Sequence, residues 1–195
     1  MTKPKTTKPK DKVKSKSKQK PKVKLQIKVV IDKWLARALS LTKGVMRTYS
    51  IDCIYFNAKE KELVATNGHT LLVVKFKPAG SLLVLNLEEG LYDIIGETLL
   101  LKEDINQETT FPKYQKIIPT GAKEICHGHT LSGVIDCMIK NQVYLDVWRF
   151  ASVLRILNNL SLWWTFTNNS PVEPVMMEAE NSKYHIKYVI MAVLK

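Results

Sequence analysis

The chain has 195 residues, 45% apolar and 25% charged, with a formal net charge of +12. That length allows one ordinary domain or two small ones with a real core, and the composition is that of a soluble globular protein, not a disordered or fibrous one. No apolar run approaches the roughly 18 residues of a membrane span, and no apolar segment follows the charged N-terminus as in a secretory signal, so a soluble, cytoplasmic protein is expected.

The charge is concentrated at one end. Residues 1–24 hold eleven lysines (Lys3, Lys5, Lys8, Lys10, Lys12, Lys14, Lys16, Lys18, Lys20, Lys22 and Lys24) against one acid, Asp11, with three prolines and no aromatic side chain. Such a segment cannot bury enough apolar area to fold and is expected to be a disordered tail. Its polycation reads as a sequence-blind, salt-dependent site for nucleic acid, acting by counterion release, or as a solubilising tail. Membrane attachment would need a second, apolar signal that the tail lacks. The rest of the chain is nearly neutral.

From Leu25 the pattern changes. LQIKVVI alternates and then becomes apolar, as a strand does. The following IDKWLARALSL places Ile31, Trp34, Leu35, Ala38 and Leu39 at helical spacing, with Asp32 as N-cap and Gly44 as the stop just beyond. Short extended pieces come next: YSIDCIYF, KELVATNG, HTLLVVKF, SLLVLNL, LYDII and ETLLLKE, separated by turn signals such as Asn-Gly and Glu-Glu-Gly. A second helix is expected at LDVWRFASVLRIL, capped by Asp146, followed by strands LWWTFT, PVMMEAE and YHIKYVIMAVL.

Two segments repeat at one offset. Ile31-Asp32-Lys33-Trp34 returns as Leu145-Asp146-Val147-Trp148, and Ala65-Thr66-Asn67 returns as Ala179-Glu180-Asn181, each time leading into an apolar strand. The order strand, helix, three strands therefore occurs twice. A helix against each half of one antiparallel sheet would bury both apolar stripes on one face, so an α+β domain over residues 25–195 is expected, with halves near 25–100 and 110–195.

Little in the sequence suggests catalysis. No Gly-rich phosphate loop, nucleophile elbow or paired-carboxylate arrangement is present. Cys126-His127-Gly128-His129 is the one cluster with metal-ligand character, but its nearest fourth candidate, Cys137, falls in what reads as an apolar strand. Three cysteines, an odd number without framework spacing, favour a reducing compartment over disulfides. No metal or other cofactor is expected. Trp163 and Trp164 could stack bases, yet neighbours on a strand face opposite ways, so at least one is expected in the core.

Three segments resemble a known family. Val64-Ala65-Thr66-Asn67-Gly68-His69-Thr70-Leu71 resembles the Ala-Thr-Asp-Gly-His-Arg-Leu signature of bacterial sliding clamps, the beta subunit of DNA polymerase III. Phe111-Pro112-Lys113-Tyr114-Gln115-Lys116-Ile117-Ile118-Pro119 is similar to that family's Phe-Pro-x-Tyr linker, and Tyr188–Lys195 to its terminal Tyr-Val-(Val/Ile)-Met-Pro-Met strand. They stand here in the family's order. A clamp chain has three such domains and this chain has room for about one, so the resemblance is to a condensed clamp. Asn67 and Thr70 stand where the family has Asp and Arg, and Ala192 and Val193 where it has Pro and Met.

The resemblance implies a non-enzymatic DNA replication factor that tethers or recruits polymerases and repair proteins on double-stranded DNA. It also implies a homo-oligomer, because family rings contain six domains. The partner-peptide groove it implies would be lined by Ile51, Thr66, Gly68, His69, Thr70, Leu71, Pro112, Lys116, Ile117, Val189, Met191, Ala192 and Val193. Aliphatic and Met side chains would make a deformable groove for short peptides. Two other readings stay open: a non-ring clamp mimic that competes for clamp partners, and a plain nucleic-acid-binding domain.

Overall fold

Segments that alternate or are apolar on both faces become strands, and the two amphipathic stretches become helices. The computed structural model describes residues 28–45, 49, 51–79, 86–102, 111–128, 131–142, 147–158, 160, 162, 164–168, 170 and 173–191. The Lys-rich segment 1–24, Asp146, His129, Ala192 and Val193 lie outside the described residues, as does most of SLLVLNL.

The first half contributes β1 (Lys28–Val30), α1 (Lys33–Thr42), β2 (Ile54–Asn57), β3 (Glu62–Thr66), β4 (Thr70–Phe76), β5 (Gly90–Ile95) and β6 (Thr98–Leu101). The second contributes β7 (Lys123–Gly128), α2 (Leu131–Lys140), α3 (Val147–Asn158), β8 (Trp164–Asn168), β9 (Val175–Glu180) and β10 (Tyr184–Ile190). All the strands join one antiparallel sheet in the order β1-β6-β5-β2-β3-β4-β10-β9-β8-β7. Strands of the first half lie on one side of the β4–β10 seam and strands of the second on the other. This is an α+β fold with its helices on one face.

The helix face holds the main core. On α1, Leu35, Ala38, Leu39 and Thr42 are buried at i, i+3, i+4 and i+7, a stripe that packs onto β3, β4 and α3. Leu35 and Leu39 are fully buried, worth about 2 kcal/mol each as area removed from water. Beneath them β4 and β10 supply Leu72, Val74, Ile186 and Tyr188, and α3 adds Val153, Leu154 and Leu157. Trp164 also points into this core.

The duplication is geometric as well as sequential. Thr70–Phe76 and Tyr184–Ile190 are equivalent elements, and Val73 pairs with Lys187, its own equivalent in the repeat. A local two-fold therefore passes through that pair. Hydrogen bonds obey it: Lys77 N–H donates to Lys183 O at 2.9 Å, and its mate Met191 N–H donates to His69 O at 2.9 Å. Asn67 Oδ1 accepts from the N–H groups of His69 (2.9 Å) and Thr70 (2.8 Å). Its mate, Asn181 Oδ1, accepts from those of Lys183 and Tyr184 (2.8 Å each). Two Asx turns with the same backbone bonds thus launch the two seam strands, and Asn67 Oδ1 also accepts from the Thr70 hydroxyl at 3.1 Å.

Several expectations are corrected. Neither β7 nor α2 was legible; Gly133, Val134 and Ile135 depress helix propensity inside α2, and packing against β7 and α3 overrides it. Cys137 accordingly sits on a helix, not a strand, where it and Met138 are buried. It is disulfide-bonded, against the expectation of reduced thiols, while Cys53 is a free buried thiol. Cysteine count alone does not fix which thiols meet in space. Asp32 occupies the N-cap of α1 but makes no side-chain cap; its carboxylate instead accepts the Tyr184 hydroxyl across the sheet. Among the described residues, no helix is long and apolar enough to cross a membrane.

Candidate functional site

The sheet face opposite the helices carries a second, smaller apolar cluster. Strand register builds it: Leu71 lies between Thr66 and Val189, Val73 beside Val64, and Val189 beside Met176. Tyr114 completes the buried set, with Tyr55, Phe111, Ile117 and Ile118 packed against it. Where β4 begins and β10 ends, this cluster opens as a small cleft, partly open to solvent. Its lining is Thr66, Gly68, His69, Thr70, Leu71, Ile117, Val189 and Met191.

Three stretches distant in the chain meet here. The first is the β3–β4 turn, where Gly68 takes φ +84°, a left-handed conformation that favours glycine. Thr66 Oγ1 donates to Thr70 O (2.7 Å) and accepts the Gly68 N–H (3.1 Å), so the turn is internally locked. The second is Ile117, which follows a 3₁₀ turn over Tyr114–Lys116. The third is the end of β10, where Met191 is bonded back to His69 and remains 40% exposed. No lining residue is acidic, and His69 is the one ionisable side chain among them.

Among the described residues, three assigned to the groove by resemblance, Ile51, Pro112 and Lys116, are not part of this lining. Ile51 packs behind the turn: its carbonyl accepts Gly44 N–H at 2.8 Å, and a Cβ on Gly44 would stand 2.9 Å from both Ile51 Cδ1 and Asn67 Cα. Gly44 is thus required by close approach. Pro112 and Lys116 belong to the segment that carries Ile117, but Pro112 only accepts the Tyr114 N–H (2.7 Å) and Lys116 is exposed. Ala192 and Val193 lie outside the described residues. Conversely, Val64, Val73, Met176 and Tyr114 underlie the cleft without having been singled out; the alternation of VMMEAE marked Met176 as facing one side, though not which.

The local two-fold places different side chains at the other end of the seam. Under it Thr66, Leu71, Val189 and Met191 map onto Glu180, His185, Lys75 and Lys77. Those side chains are paired: Lys75 with Glu60 (3.0 Å), Lys77 with Glu180 (2.7 Å), and His185 Nε2 with Glu178 (2.5 Å). Lys75 and Lys77 hold the carboxyls of Glu60 and Glu180 below their ordinary value through hydrogen bonds and charge. One end of the seam is apolar and open, the other polar and paired.

Among the described residues no group of three His, Cys, Asp or Glu could hold a metal ion. His127 Nδ1 is engaged by Glu124 at 2.8 Å. Cys53 takes a hydrogen bond from Lys102 Nζ at 3.0 Å, and burial pushes its thiol up rather than toward a reactive thiolate.

No family model and no curated protein matches the sequence. Solved structures do match, and they show the fold: it is that of bacterial sliding clamps, α+β with an antiparallel sheet. The DNA polymerase sliding clamp of Bacillus subtilis superposes with a TM-score of 0.53 at 12% identity, over 93% of this chain and 67% of the clamp chain. The Bartonella birtlesii DnaN clamp bound to griselimycin gives 0.49 at 16% identity, over 84% of this chain and 63% of that one. The Helicobacter pylori beta clamp in complex with diflunisal gives 0.49 at 12%, over 92% and 69%. The chain thus spans about two thirds of the length of these clamps.

Proposed function

We propose that the protein is a non-catalytic, clamp-like replication factor that holds polymerase or repair partners on DNA through short peptides bound in the cleft at the β4–β10 seam. The observation that carries this reading is the cleft itself. Thr66, Gly68–Leu71, Ile117, Val189 and Met191 converge on one open apolar surface, although no local secondary structure requires them to meet. An apolar groove without acidic walls suits peptides with two apolar anchors, and the exposed Met191 supplies a pliable rim.

In the same reading the eleven lysines of residues 1–24 attach the protein to double-stranded DNA, and copies associate so that their sheets surround it. The test uses a pentapeptide carrying Leu and Phe anchors, titrated into isotope-labelled full-length protein. Amide shifts should concentrate at His69–Leu71, Ile117 and Val189–Met191. Shifts scattered over the sheet, or none at all, refute the groove. Light scattering separates two versions of the reading: an oligomer fits a ring, whereas a monomer that still binds the peptide fits a competitor for clamp partners.

A further inference from the structure

We infer that Tyr114 is the positioning residue of the cleft: it fastens the segment 111–118 across the outer sheet face so that Ile117 stands as one wall. This rests on the groove reading for its functional meaning, though its structural part can be tested without any ligand.

The 3₁₀ turn that carries Ile117 is too short to hold itself against the sheet. Lys113, Gln115 and Lys116 are exposed, so the turn is anchored through Tyr114, which is 2% exposed. Its hydroxyl does two jobs at once. It donates to Glu62 Oε2 at 2.8 Å on β3 and accepts from Asn57 Nδ2 at 3.0 Å at the end of β2. Asn57 is itself fixed, its Oδ1 accepting the Glu60 N–H at 3.1 Å. The Tyr114 ring meets Tyr55 and Phe111 edge-on, each at 6.4 Å, while those two rings stack at 5.2 Å.

From that anchor the backbone leads directly to the wall. Tyr114 O accepts the Ile117 N–H at 2.9 Å, closing the turn so that Ile117 packs on the cluster of Leu71, Val73, Met176 and Val189. Removing the hydroxyl would leave the Asn57 amide without its acceptor. It would leave Glu62, whose side chain is 15% exposed, with Lys75 4.0 Å away as its remaining ion-pair partner. Buried groups stripped of partners favour release of the segment. The sheet would stay intact, because its ladders do not involve residues 111–118.

The test compares wild type, Tyr114→Phe, Ile117→Ala and the double variant in the full chain, using anisotropy of the fluorescein-labelled Leu/Phe pentapeptide. Each single change should weaken binding about tenfold, the cost of a lost bond to a charged partner or of a lost apolar wall. The double should be scarcely weaker than either single, since both remove the same wall. A Tyr114→Phe variant that binds as wild type, or fully additive losses, overturns the proposal. Amide exchange supplies the ligand-free arm: at Ile117 it should accelerate at least about tenfold in Tyr114→Phe, while seam amides such as Val73 stay protected. Glu62→Gln, which keeps an acceptor for the hydroxyl, should accelerate it less. Unchanged exchange at Ile117 overturns the positioning role whatever the peptide does. If exchange responds but wild type ignores the peptide, the groove reading fails and the fastening stands.

Discussion

Replacing Asn67 and Asn181 separately by Ala exploits the local two-fold, because the two side chains do the same job at opposite ends of the seam. Each Oδ1 accepts two backbone N–H groups, one exposed and one half-buried, at 2.8–2.9 Å. The half-buried bond is worth about 1 kcal/mol and the exposed one less, so each variant should lose about 1.5 kcal/mol. Urea denaturation at neutral pH, followed by circular dichroism, reads that loss as a shifted midpoint with an unchanged slope. Both variants should lose stability, Asn67→Ala by up to about 1 kcal/mol more, because its Oδ1 also accepts from Thr70 Oγ1 at 3.1 Å. Binding should differ more sharply. Asn67 sets the turn that presents Gly68 and His69 to the cleft, so Asn67→Ala should weaken the Leu/Phe peptide at least about threefold, whereas Asn181→Ala, at the distant polar end, should leave it within about twofold. If Asn181→Ala weakens the peptide as much as Asn67→Ala does, the assignment of the cleft to one end of the seam is wrong. If only one variant loses stability, the equivalence of the halves is wrong.

Burial raises the hydroxyls of Tyr92, Tyr114, Tyr184 and Tyr188 above their ordinary value of 10.0, and that of Tyr55 to about 12. The folded state therefore holds these protons more tightly than the unfolded state; their stabilisation is complete below pH 10 and is lost as pH rises through the folded values. Absorbance at 295 nm should show Tyr55, Tyr114, Tyr184 and Tyr188 un-ionised in the folded protein at about pH 11 but ionised in urea at the same pH. The Tyr188 hydroxyl is fully buried near Thr70, yet finds no partner of acceptable hydrogen-bond geometry. Tyr188→Phe should thus raise stability by up to about 1 kcal/mol in urea denaturation, and a loss of similar size would mean that the hydroxyl is bonded after all. Deleting residues 1–24 removes eleven lysines, so filter-binding affinity for duplex DNA and its salt slope should collapse while the melting temperature holds. Binding with an undiminished slope would place the DNA contacts on the folded body.

The seam strands were legible because β4 and β10 are strongly apolar and follow Asn turns, signals that act within a few residues. The helices α1 and α3 were legible from their spacing of three and four. By contrast α2 was not, since Val134, Ile135 and Gly133 argue locally against a helix and only tertiary contact favours one. The cleft divides the same way. Its rim, from Thr66 to Leu71 and at Val189 and Met191, lies in contiguous motifs. Its floor, Val64, Val73 and Met176, depends on cross-strand register, which no single segment encodes. Pro112 and Ile51 were placed in the groove by motif, but the 3₁₀ turn aims Tyr114 down and Ile117 inward, and Gly44 draws Ile51 behind the turn.

The most direct measurement of the central claim is the affinity of the Leu/Phe peptide for wild type and for Met191→Glu, with circular dichroism and melting temperature recorded on the same samples. Met191 is 40% exposed at the cleft rim, so the change should leave the fold intact. Under a bound peptide a carboxylate there would be desolvated against Leu71 and Val189 with no lysine or arginine among the lining residues. Saturable binding to wild type is expected, with at least about a thirtyfold loss in Met191→Glu at unchanged melting temperature. Equal affinity of the two proteins, or no binding to wild type, would contradict it.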